Sequence, residues 1–416
     1  MDREEIVAGL DIGTTKISAI IALVGAGEEP KIIGAGTSPS VGLRRGVVIN
    51  IEKTVRSIEK AVSEAELMAG VKIGSVYAGI AGDHIRSINS RGVIAVSRGD
   101  GDGNEITRDD VDRVIEAAKA VAIPMDREIL HVLPQEYIVD NQPGIKDPVG
   151  MAGVRLEAEV HIVTGAVTSA QNICESIRRA GIEVEDVVLE PLASSYSVLS
   201  QDEKDLGVGL LDVGGGTTDI ALFFDGSIRH TAVIAFGGNN VTRDMAIGLR
   251  TPSEQAERIK IEHGCALGSL VEGDAMIQVP GVGGRALREV TRKELCAIIE
   301  PRMEEIFTLV LREIKRTDYV ELMSTGMVLT GGGAMMDGTA ELAERIFDLP
   351  VRLGVPQGVT GLTDEVTSPI HATGVGLVLY GAMHRSRGGG MIAGAKGDRL
   401  FYKILSRMKR WFQEFV

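Results

Sequence analysis

The chain has 416 residues, of which 44% are hydrophobic and 25% charged, a composition that excludes a disordered, collagen-like or small disulfide-rich protein. At roughly 100–200 residues per domain, this length predicts more than one domain. The formal net charge of −14 argues against nucleic acid as a partner, because phosphate backbones select basic surfaces. Cys174, Cys265 and Cys296 are far apart, which indicates reduced thiols and a cytosolic compartment.

Residues 1–82 show the alternation of strands and helix that is typical of an α/β core. Apolar positions on a single face predict a helix over residues 51–68. A Gly-Thr-Thr-Lys turn at residues 13–16 joins the first two strands directly, without a helix between them. Buried strands are predicted over residues 6–12, 17–24, 31–37 and 71–80.

The pattern changes over residues 83–158. Residues 83–98 alternate between apolar and polar, as in a strand or hairpin, and a helix is predicted from near Thr107 to a point before Pro124. Residues 128–157 contain short apolar runs between Gly and Pro turns, which predict short strands. We interpret 83–158 as an inserted α+β subdomain.

The core pattern resumes after the insertion. In order, the sequence predicts a strand over 159–166, a helix over 168–181, a strand over 184–189 and a helix from Pro191. These elements complete a first core subdomain, which we assign to residues 1–82 and 159–205.

A repeat links the two halves of the chain. The segment Leu10–Ile17 resembles the segment Leu211–Ile220, which has two extra glycines, and each lies at a strand–turn–strand. The aspartates inside these segments, Asp11 and Asp212, are 201 residues apart, about half the chain. Internal similarity of this kind is the sequence signature of a duplicated unit. It predicts two related α/β halves with a nucleotide cleft between them.

The second half continues with the same types of element. The sequence predicts strands over 228–236 and 327–330 and helices over 239–248, 253–264, 292–316 and 370–384. We assign residues 206–238 and 303–384 to a second core subdomain and residues 239–302 to a smaller subdomain of this half. A flexible linker with five glycines, residues 385–398, and a tail, residues 399–416, follow.

Two glycine-rich turns have the composition that binds phosphate. Glycines let backbone N–H groups approach an anion closely, and a tight turn presents those groups as an anion-binding concavity. Asp11 and Asp212 end the preceding strands, where a carboxylate can meet Mg²⁺ through water. One such turn alone is equally consistent with a hairpin, whereas the duplication favours a nucleotide site. The turns consist of Gly13, Thr14, Thr15 and Lys16, and of Gly214, Gly215, Gly216 and Thr217.

These turns and a third, residues 331–333, resemble the phosphate-1, phosphate-2 and adenosine motifs of the actin/Hsp70/sugar-kinase superfamily. Glu190-Pro191 resembles its connecting motif, and Glu257-x-x-Lys260 the pair that holds ribose and adenine. Within this superfamily, the whole chain is similar to the FtsA family of bacterial cell-division proteins. The segments that carry this similarity include His263–Ser269, Ile299–Arg302, Val328–Gly333 and Gly358–Thr363.

The resemblance implies an actin-like ATPase fold, with two related α/β halves around a nucleotide cleft and a smaller subdomain inserted in each half. It also implies the residues that bind ATP and Mg²⁺. Asp11 and Asp212 would face the metal. Glu190 would orient the metal or a water molecule, and the alternative explanation of Glu190 is a charge at a helix N-terminus. The contacts to ATP would come from Gly13, Thr14, Thr15, Lys16, Gly214, Gly215, Gly216 and Thr217 at the phosphates, Gly237 and Gly238 at the floor, Glu257 and Lys260 at the sugar and base, and Gly331, Gly332 and Gly333 under the adenosine.

The function implied by the resemblance is that of an adaptor. It implies a protein that polymerises with itself, binds the FtsZ C-terminal tail and other division proteins, and anchors FtsZ filaments at the cytoplasmic face of the cell membrane at the division site. The sequence identifies no strong general base, so we expect weak or absent ATPase activity. Two alternatives remain open: an adaptor like the pilus-assembly protein PilM, and a kinase of the sugar-kinase branch.

The tail has its own signature. Its basic side chains lie off one apolar face and give a net side-chain charge of +4 over residues 399–416. A helix of this length measures about 27 Å, but its charge favours lying in the interface of an anionic membrane over spanning it. The alternative is a helix that docks on the body or on a partner. The apolar face consists of Leu400, Phe401, Ile404, Leu405, Met408, Trp411, Phe412 and Phe415.

The smaller subdomain of the second half offers cations for an acidic peptide. The resemblance places the FtsZ tail against this subdomain, where Arg302 is the first choice and Lys293 the second, beside Arg288 and Arg292. A solvated basic face is the alternative explanation of these residues.

Overall fold

The computed structural model describes residues 5–97, 104–273, 275–284 and 286–388. The predicted tail helix, 399–416, lies outside the described residues, as does the predicted linker from residue 389 onward. The described residues form two compact units. The first comprises residues 5–88, 123–133 and 161–381, and the second comprises the described parts of 89–122, 134–160 and 382–388.

The elements alternate between strands and helices along the chain. The strands are β1 (Glu5–Ile12), β2 (Lys16–Val24), β3 (Lys31–Pro39), β4 (Leu43–Arg44), β5 (Val47–Val48), β6 (Ser75–Ile80), β7 (Arg86–Ala95), β8 (Arg127–Val139), β9 (Gln142–Ile145), β10 (Arg155–Ala166), β11 (Glu183–Leu189), β12 (Val208–Val213), β13 (Thr218–Phe224), β14 (Ser227–Ile234), β15 (Met276–Val279), β16 (Arg288–Thr291), β17 (Met327–Thr330), β18 (Val351–Leu353) and β19 (Thr360–Gly361). The α-helices are α1 (Ile51–Ala69), α2 (Arg108–Ala118), α3 (Val167–Arg179), α4 (Glu190–Val198), α5 (Gln201–Leu206), α6 (Gly238–Leu249), α7 (Ser253–His263), α8 (Arg292–Ile314), α9 (Thr339–Phe347) and α10 (Ala372–Gly388).

The first unit contains a sheet from the first half of the chain, with the strand order β11-β6-β1-β2-β3-β19 in the described residues. Strands β1 to β3 form an antiparallel meander, whereas β6 is parallel to β1 and β11 is parallel to β6. Helix α1 begins at the Asn50 cap and ends at Gly70 in the left-handed conformation. It packs closely on β3 because Gly36 has no Cβ, which would overlap the Ala61 carbonyl.

The first unit also contains a second sheet, whose described strands have the order β14-β13-β12-β17-β18. Strands β12, β13 and β14 form an antiparallel meander, and β17 is parallel to β12. Helices α6 and α8 contact each other, and α8 also contacts α9. The buried face of α8 includes Phe307, whose ring meets that of Phe347 edge to face at 5.5 Å between centroids. These helices and the sheet share one apolar core.

The duplication predicted from the sequence is visible in the strand register. In the first sheet Asp11 pairs with Ser18 across the β1–β2 hairpin, and in the second Asp212 pairs with Asp219 across the β12–β13 hairpin. Each leading strand also has one parallel neighbour, β6 in the first sheet and β17 in the second. Both aspartates therefore occupy the same position in two related sheets.

The second unit is built around part of a separate sheet with the described order β7-β10-β8-β9. Helix α2 begins at a capping box, in which Thr107 and the buried Asp110 exchange hydrogen bonds. It approaches β7 closely at Gly92, where a Cβ would lie 2.6 Å from the Ala118 nitrogen. The predicted α+β composition of residues 83–158 is therefore present, with α2 on the sheet.

The structure differs from the sequence-based prediction in some elements. Residues 128–157 were expected to form short strands, but β8 has 13 residues and continues through Pro134, where the proline is exposed. The pattern gave no indication of the short β4–β5 hairpin or of α9. Helix α10 continues to Gly388, four residues beyond its predicted end. None of the helices in the described part of the chain combines the length and the hydropathy of a membrane-spanning segment.

Candidate functional site

A cavity of about 450 Å³ lies in the first unit. This volume is within the range of small-molecule sites, roughly 300–1,000 Å³. The predicted site residues that line it are Asp11, Gly13, Thr14, Thr15, Lys16, Glu190, Asp212, Gly214, Gly215, Gly216, Thr217, Gly238, Glu257, Lys260, Gly331, Gly332 and Gly333. The structure thus brings together residues that are up to 322 positions apart in the sequence. Gly237 does not line the cavity; it packs against the Gly214 carbonyl of the second turn.

The first two glycine-rich turns lie face to face. A Cβ on Gly215 would overlap the Thr15 hydroxyl, and one on Gly216 would lie 2.7 Å from the Thr14 hydroxyl. A side chain at either position therefore requires the opposite threonine to move. The Thr14 hydroxyl also accepts a hydrogen bond of 3.0 Å from the amide of Gly46, another lining residue, which helps to fix the first turn.

Backbone contacts fix the second turn. The Gly214 amide donates to the Thr217 carbonyl at 2.9 Å and closes the turn. The Gly238 and Asn239 amides, at the start of α6, donate to the Gly214 and Gly215 carbonyls at 2.9 and 2.8 Å. A Cβ on Gly237 would lie 2.5 Å from the Gly214 carbonyl oxygen, so this glycine allows the close approach. The turn is held with its carbonyls engaged, which suits an anion site formed by backbone N–H groups.

The third glycine-rich turn follows β17. Gly331 has φ of +82°, a left-handed conformation that favours glycine, and a Cβ there would overlap the Asp212 carboxylate. A Cβ on Gly333 would lie 2.9 Å from the Val213 carbonyl oxygen. This turn therefore passes directly against the end of β12, which carries Asp212.

Five carboxyl groups border the cavity, and four of them stand apart from the Glu257–Lys260 ion pair. Asp11, at 8% exposure, and Asp219, at 2%, are buried, and Glu190 and Asp212 are half-buried. Asp212 Oδ2 accepts hydrogen bonds from the Ser194 and Thr373 hydroxyls at 3.0 and 3.2 Å. These two donors stabilise the Asp212 carboxylate and set its orientation.

Asp219 has an unsatisfied oxygen. Its Oδ2 accepts a hydrogen bond of 3.0 Å from the Thr217 hydroxyl, whereas its Oδ1 is buried and has no hydrogen-bond partner in the described residues. An unpaired buried carboxylate oxygen costs free energy unless the group is protonated or meets a cation. Asp219 is therefore a third aspartate suited to a cation, beside the two predicted from the sequence.

Burial and mutual repulsion raise the pKa of these acids. Burial raises the pKa of Asp11 to about 6, although Lys16 opposes the shift, and raises that of Asp219 to about 8, with Asp212 adding to it. Burial likewise raises the pKa of Asp212 and, together with Asp11 and Asp219, that of Glu190. Burial lowers the pKa of Lys16. A bound cation would reverse these shifts in the carboxyl groups.

The acidic groups fit a metal that is held mainly through water. Within the described residues, no group of three or more His, Cys, Asp or Glu side chains has the spacing to ligate a metal directly. Mg²⁺ keeps several water ligands and commonly binds through one or two carboxylates and substrate phosphates. The four carboxyl groups and the unpaired Asp219 oxygen therefore suit Mg²⁺ bound together with a phosphate ligand.

Glu257 and Lys260 form a network at the cavity wall. Lys260 Nζ donates to Glu257 Oε2 at 2.7 Å and to the Thr242 hydroxyl at 2.9 Å, and the Thr242 hydroxyl also contacts Glu257 Oε2. Glu257 and Lys260, both on α7, are thus held in place by Thr242 of α6. The apolar part of the same lining includes Ile261, Met303, Met335 and Met336.

The basic residues predicted for a peptide partner lie outside the cavity lining. Lys293 and Arg288 are exposed. Arg302 is engaged within the chain, because its guanidinium pairs with Asp244 at 2.5 Å and with Glu305. The predicted membrane-facing residues, from Leu400 to Phe415, lie outside the described residues.

Sequence reasoning missed several residues of the site. Asp219 lies inside the second glycine-rich segment, but its counterpart in the first half is Ser18, so the duplication does not mark it. Ser194, Thr242 and Thr373 contact predicted residues but belong to no glycine-rich turn. Glu190 lies in the first turn of α4, which is the position that its alternative explanation, a charge at a helix N-terminus, requires.

The fold and the duplicated site define an actin-like protein. Among solved structures, the PilM-PilN type IV pilus biogenesis complex matches with a TM-score of 0.67 and 16% identity, covering 90% of this chain and 98% of that one. MreB5 of Spiroplasma citri bound to ADP matches with a TM-score of 0.58 and 14% identity, covering 93% and 99%. At these identities, the similarity shows the fold alone.

The family follows from closer similarity. A family model described as "Cell division protein FtsA" matches residues 209–376, and one described as "SHS2 domain inserted in FTSA" matches residues 82–164. The cell division protein FtsA of Pseudomonas aeruginosa is 52% identical over 412 residues, 98% of each chain. The chain belongs to the FtsA family of cell-division proteins. The resemblance seen in the sequence and the actin-like fold class are thereby confirmed, and the PilM alternative is supported only at the level of the fold.

The raised pKa of Asp219 can be tested by measuring how the melting temperature of the protein, free of metal and nucleotide, depends on pH. A raised pKa means that the folded state holds the proton more tightly than the unfolded state. The stability from this group is therefore complete below pH 4 and is lost as the pH rises towards 8. Asp219→Asn mimics the protonated acid, so its melting temperature should fall less than that of the unchanged protein between pH 6 and about 8.5.

The control for this measurement is Asp318→Asn, which changes an exposed carboxylate outside the cavity lining. It should follow the unchanged protein at every pH. If the melting temperatures of Asp219→Asn and of the unchanged protein fell equally across this pH range, the raised pKa of Asp219 would be refuted.

Proposed function

We propose that the protein binds ATP with Mg²⁺ in this cavity, polymerises with itself, and anchors FtsZ filaments to the cytoplasmic face of the membrane through its C-terminal helix. The observation that supports the nucleotide most strongly is the pair of facing glycine-rich turns, each preceded by an aspartate at the same sheet position. Membership of the FtsA family supports the division role. Self-association, FtsZ binding and membrane binding are expectations of this proposal.

The residues of the cavity divide into three roles. We assign Asp11, Asp212 and Asp219 to the water-bound Mg²⁺, which neutralises phosphate charge when bound. Lys16 and the amides of the two turns would bind the phosphates, because N–H groups and an ammonium are the donors available there. The Glu257–Lys260 pair and the third glycine-rich turn would bind the sugar and base beside the apolar lining.

Glu190 is the carboxyl group best suited to orient a water molecule. It borders the cavity, and its raised pKa keeps the group closer to neutral than an exposed glutamate. A base with a pKa near the working pH is the most effective in proton transfer. No other group in the lining is assigned to proton transfer, so we expect slow ATP turnover.

The membrane role depends on the tail. Its apolar face carries Trp411, a residue that favours the boundary between headgroups and acyl chains. Its basic residues add on the order of 1 kcal/mol each near an anionic surface. The strongly acidic remainder of the chain would be repelled by such a surface, so we assign membrane binding to residues 399–416.

Binding of an acidic FtsZ tail would use exposed cations of the smaller subdomain. Lys293 is exposed at the start of α8 and is free of the ion pairs that engage Arg302 among the described residues. Arg302 could contribute only by exchanging Asp244 or Glu305 for a carboxylate of the peptide. We therefore propose that Lys293 makes the first contact and that Arg302 adds to it.

Nucleotide binding is tested by two substitutions that act differently. Asp212→Ala removes a carboxylate from the metal, and Gly215→Val places a side chain where the Thr15 hydroxyl lies. Each should weaken binding of a fluorescent ATP analogue with Mg²⁺ by about tenfold or more. Asp318→Asn is the control and should bind as the unchanged protein does. Unchanged affinity in both cavity variants would refute the site.

Membrane binding is tested by paired substitutions in the tail. Trp411→Glu and Gln413→Glu add the same charge, but only Trp411 belongs to the predicted apolar face. In sedimentation with anionic vesicles, Trp411→Glu should reduce binding at every salt concentration, and Gln413→Glu should reduce it mainly at low salt, because salt screens charge over about 8 Å at 0.15 M. Removal of residues 399–416 should abolish binding and preserve ATP affinity. Full binding by the truncated protein would contradict the proposal.

FtsZ binding is tested with the isolated FtsZ C-terminal peptide. Lys293→Glu should weaken peptide binding by about fivefold, and the Lys293→Glu/Arg302→Glu double variant by more, because like charges repel an acidic peptide. Lys315→Glu, an exposed charge reversal just after the other end of α8, should bind normally. Equal peptide affinity in the double variant and in Lys315→Glu would place the FtsZ surface elsewhere.

A further inference from the structure

The segment Pro369–Thr373, which we call the clasp segment, contacts the surroundings of all three glycine-rich turns. The Pro369 carbonyl accepts hydrogen bonds from the Thr330 hydroxyl and the Gly331 amide, both at 3.3 Å. At the other end of the segment, the Thr373 hydroxyl donates to Asp212 at 3.2 Å. From the sequence, residues 370–373 are predicted only as the start of the final helix.

Two acceptors of the clasp segment hold Lys16. The Lys16 Nζ donates to the Ile370 carbonyl at 2.7 Å, and its distance to His371 Nδ1 is 3.5 Å. The Ser18 hydroxyl lies 3.4 Å from the same nitrogen. The Lys16 ammonium can only donate, so a hydrogen bond between it and His371 Nδ1 requires Nδ1 to be the unprotonated nitrogen of the ring.

The Lys16 ammonium has more donors than the clasp segment engages, which leaves one for a ligand. Lys16 has three N–H donors, and the Ile370 carbonyl and His371 Nδ1 engage two of them. Lys16 lines the cavity, so the third donor is available to a ligand there. His371 is 7% exposed, and burial together with the neighbouring Lys16 lowers its pKa to about 4, so the ring is neutral and able to accept.

We propose that His371 is a positioning residue, which fixes the Lys16 ammonium so that its free donor points to a phosphate group in the cavity. This inference rests on the proposed nucleotide function and extends it to a residue that does not line the cavity. His371 acts through Lys16 and does not touch the nucleotide. Its effect is therefore specific to phosphate-bearing ligands and depends on the presence of Lys16.

The test measures displacement of a fluorescent ATP analogue from the full chain by ATP with Mg²⁺ and by adenosine. His371→Leu should weaken ATP binding by about fivefold, as expected for loss of a hydrogen bond to a charged group, with adenosine affinity within about twofold. His371→Asn should restore ATP binding, because its amide oxygen can occupy the position of Nδ1. If His371→Leu does not fold, His371→Phe, which also lacks an acceptor, carries the same expectation.

A double-mutant cycle separates positioning from a general structural role. In a Lys16→Met background, His371→Leu should cause no further loss of ATP affinity, whereas a structural role would cause the same loss in both backgrounds. The matched control is His84→Leu, which removes a different imidazole. The buried ring nitrogens of His84 have no hydrogen-bond partner in the described residues, so this variant should leave ATP affinity unchanged.

The outcomes are distinct. If the unchanged protein does not bind ATP with Mg²⁺, the proposed function fails. If it binds, the inference about His371 is overturned by unchanged ATP affinity in His371→Leu, by an equal loss for adenosine, or by an equal loss in the Lys16→Met background.

Discussion

The site depends on the crowding of four carboxyl groups that, unlike the Lys260-paired Glu257, have little positive charge to balance them. Asp11, Asp212, Asp219 and Glu190 border the same space, and burial raises the pKa of each. Among the described residues, Lys16 is the cation that opposes this rise, and it does so only for the pKa of Asp11 and of Asp212. Such a site is costly when the acids ionise without a partner, and it becomes favourable when a divalent cation arrives. The surrounding glycine-rich turns, hydroxyl donors and clasp segment are arranged around this electrostatic requirement.

The parts of the site that the sequence predicts are local ones. A strand that ends in aspartate and enters a glycine-rich turn is a short pattern, and its duplication made Asp11 and Asp212 recognisable without any structure. The helices with one apolar face, such as α1 and α8, were also predicted within a few residues of their ends. These features depend on neighbouring residues, which is why they are readable from the chain.

The parts that the sequence does not predict depend on distant contacts. Lys16 meets Ile370 across 354 positions, and Thr373 meets Asp212 across 161, with no motif that links them. Asp219 is hidden by the difference between the two halves, because the first half has Ser18 in the equivalent position. The engagement of Arg302 by Asp244 and Glu305 is likewise a property of packed helices. For the domain boundaries and the tail, the sequence-based assignments stay predictions.

The central claim is that the carboxyl groups and a divalent cation together create the nucleotide site. Calorimetric titration of the full chain with ATP at pH 7, in excess Mg²⁺ and in a chelator of divalent cations, tests it most directly. We predict that affinity is weaker by about a hundredfold or more in the chelator, because the phosphates then meet the carboxylates without a neutralising charge. Equal affinity under both conditions would contradict the account.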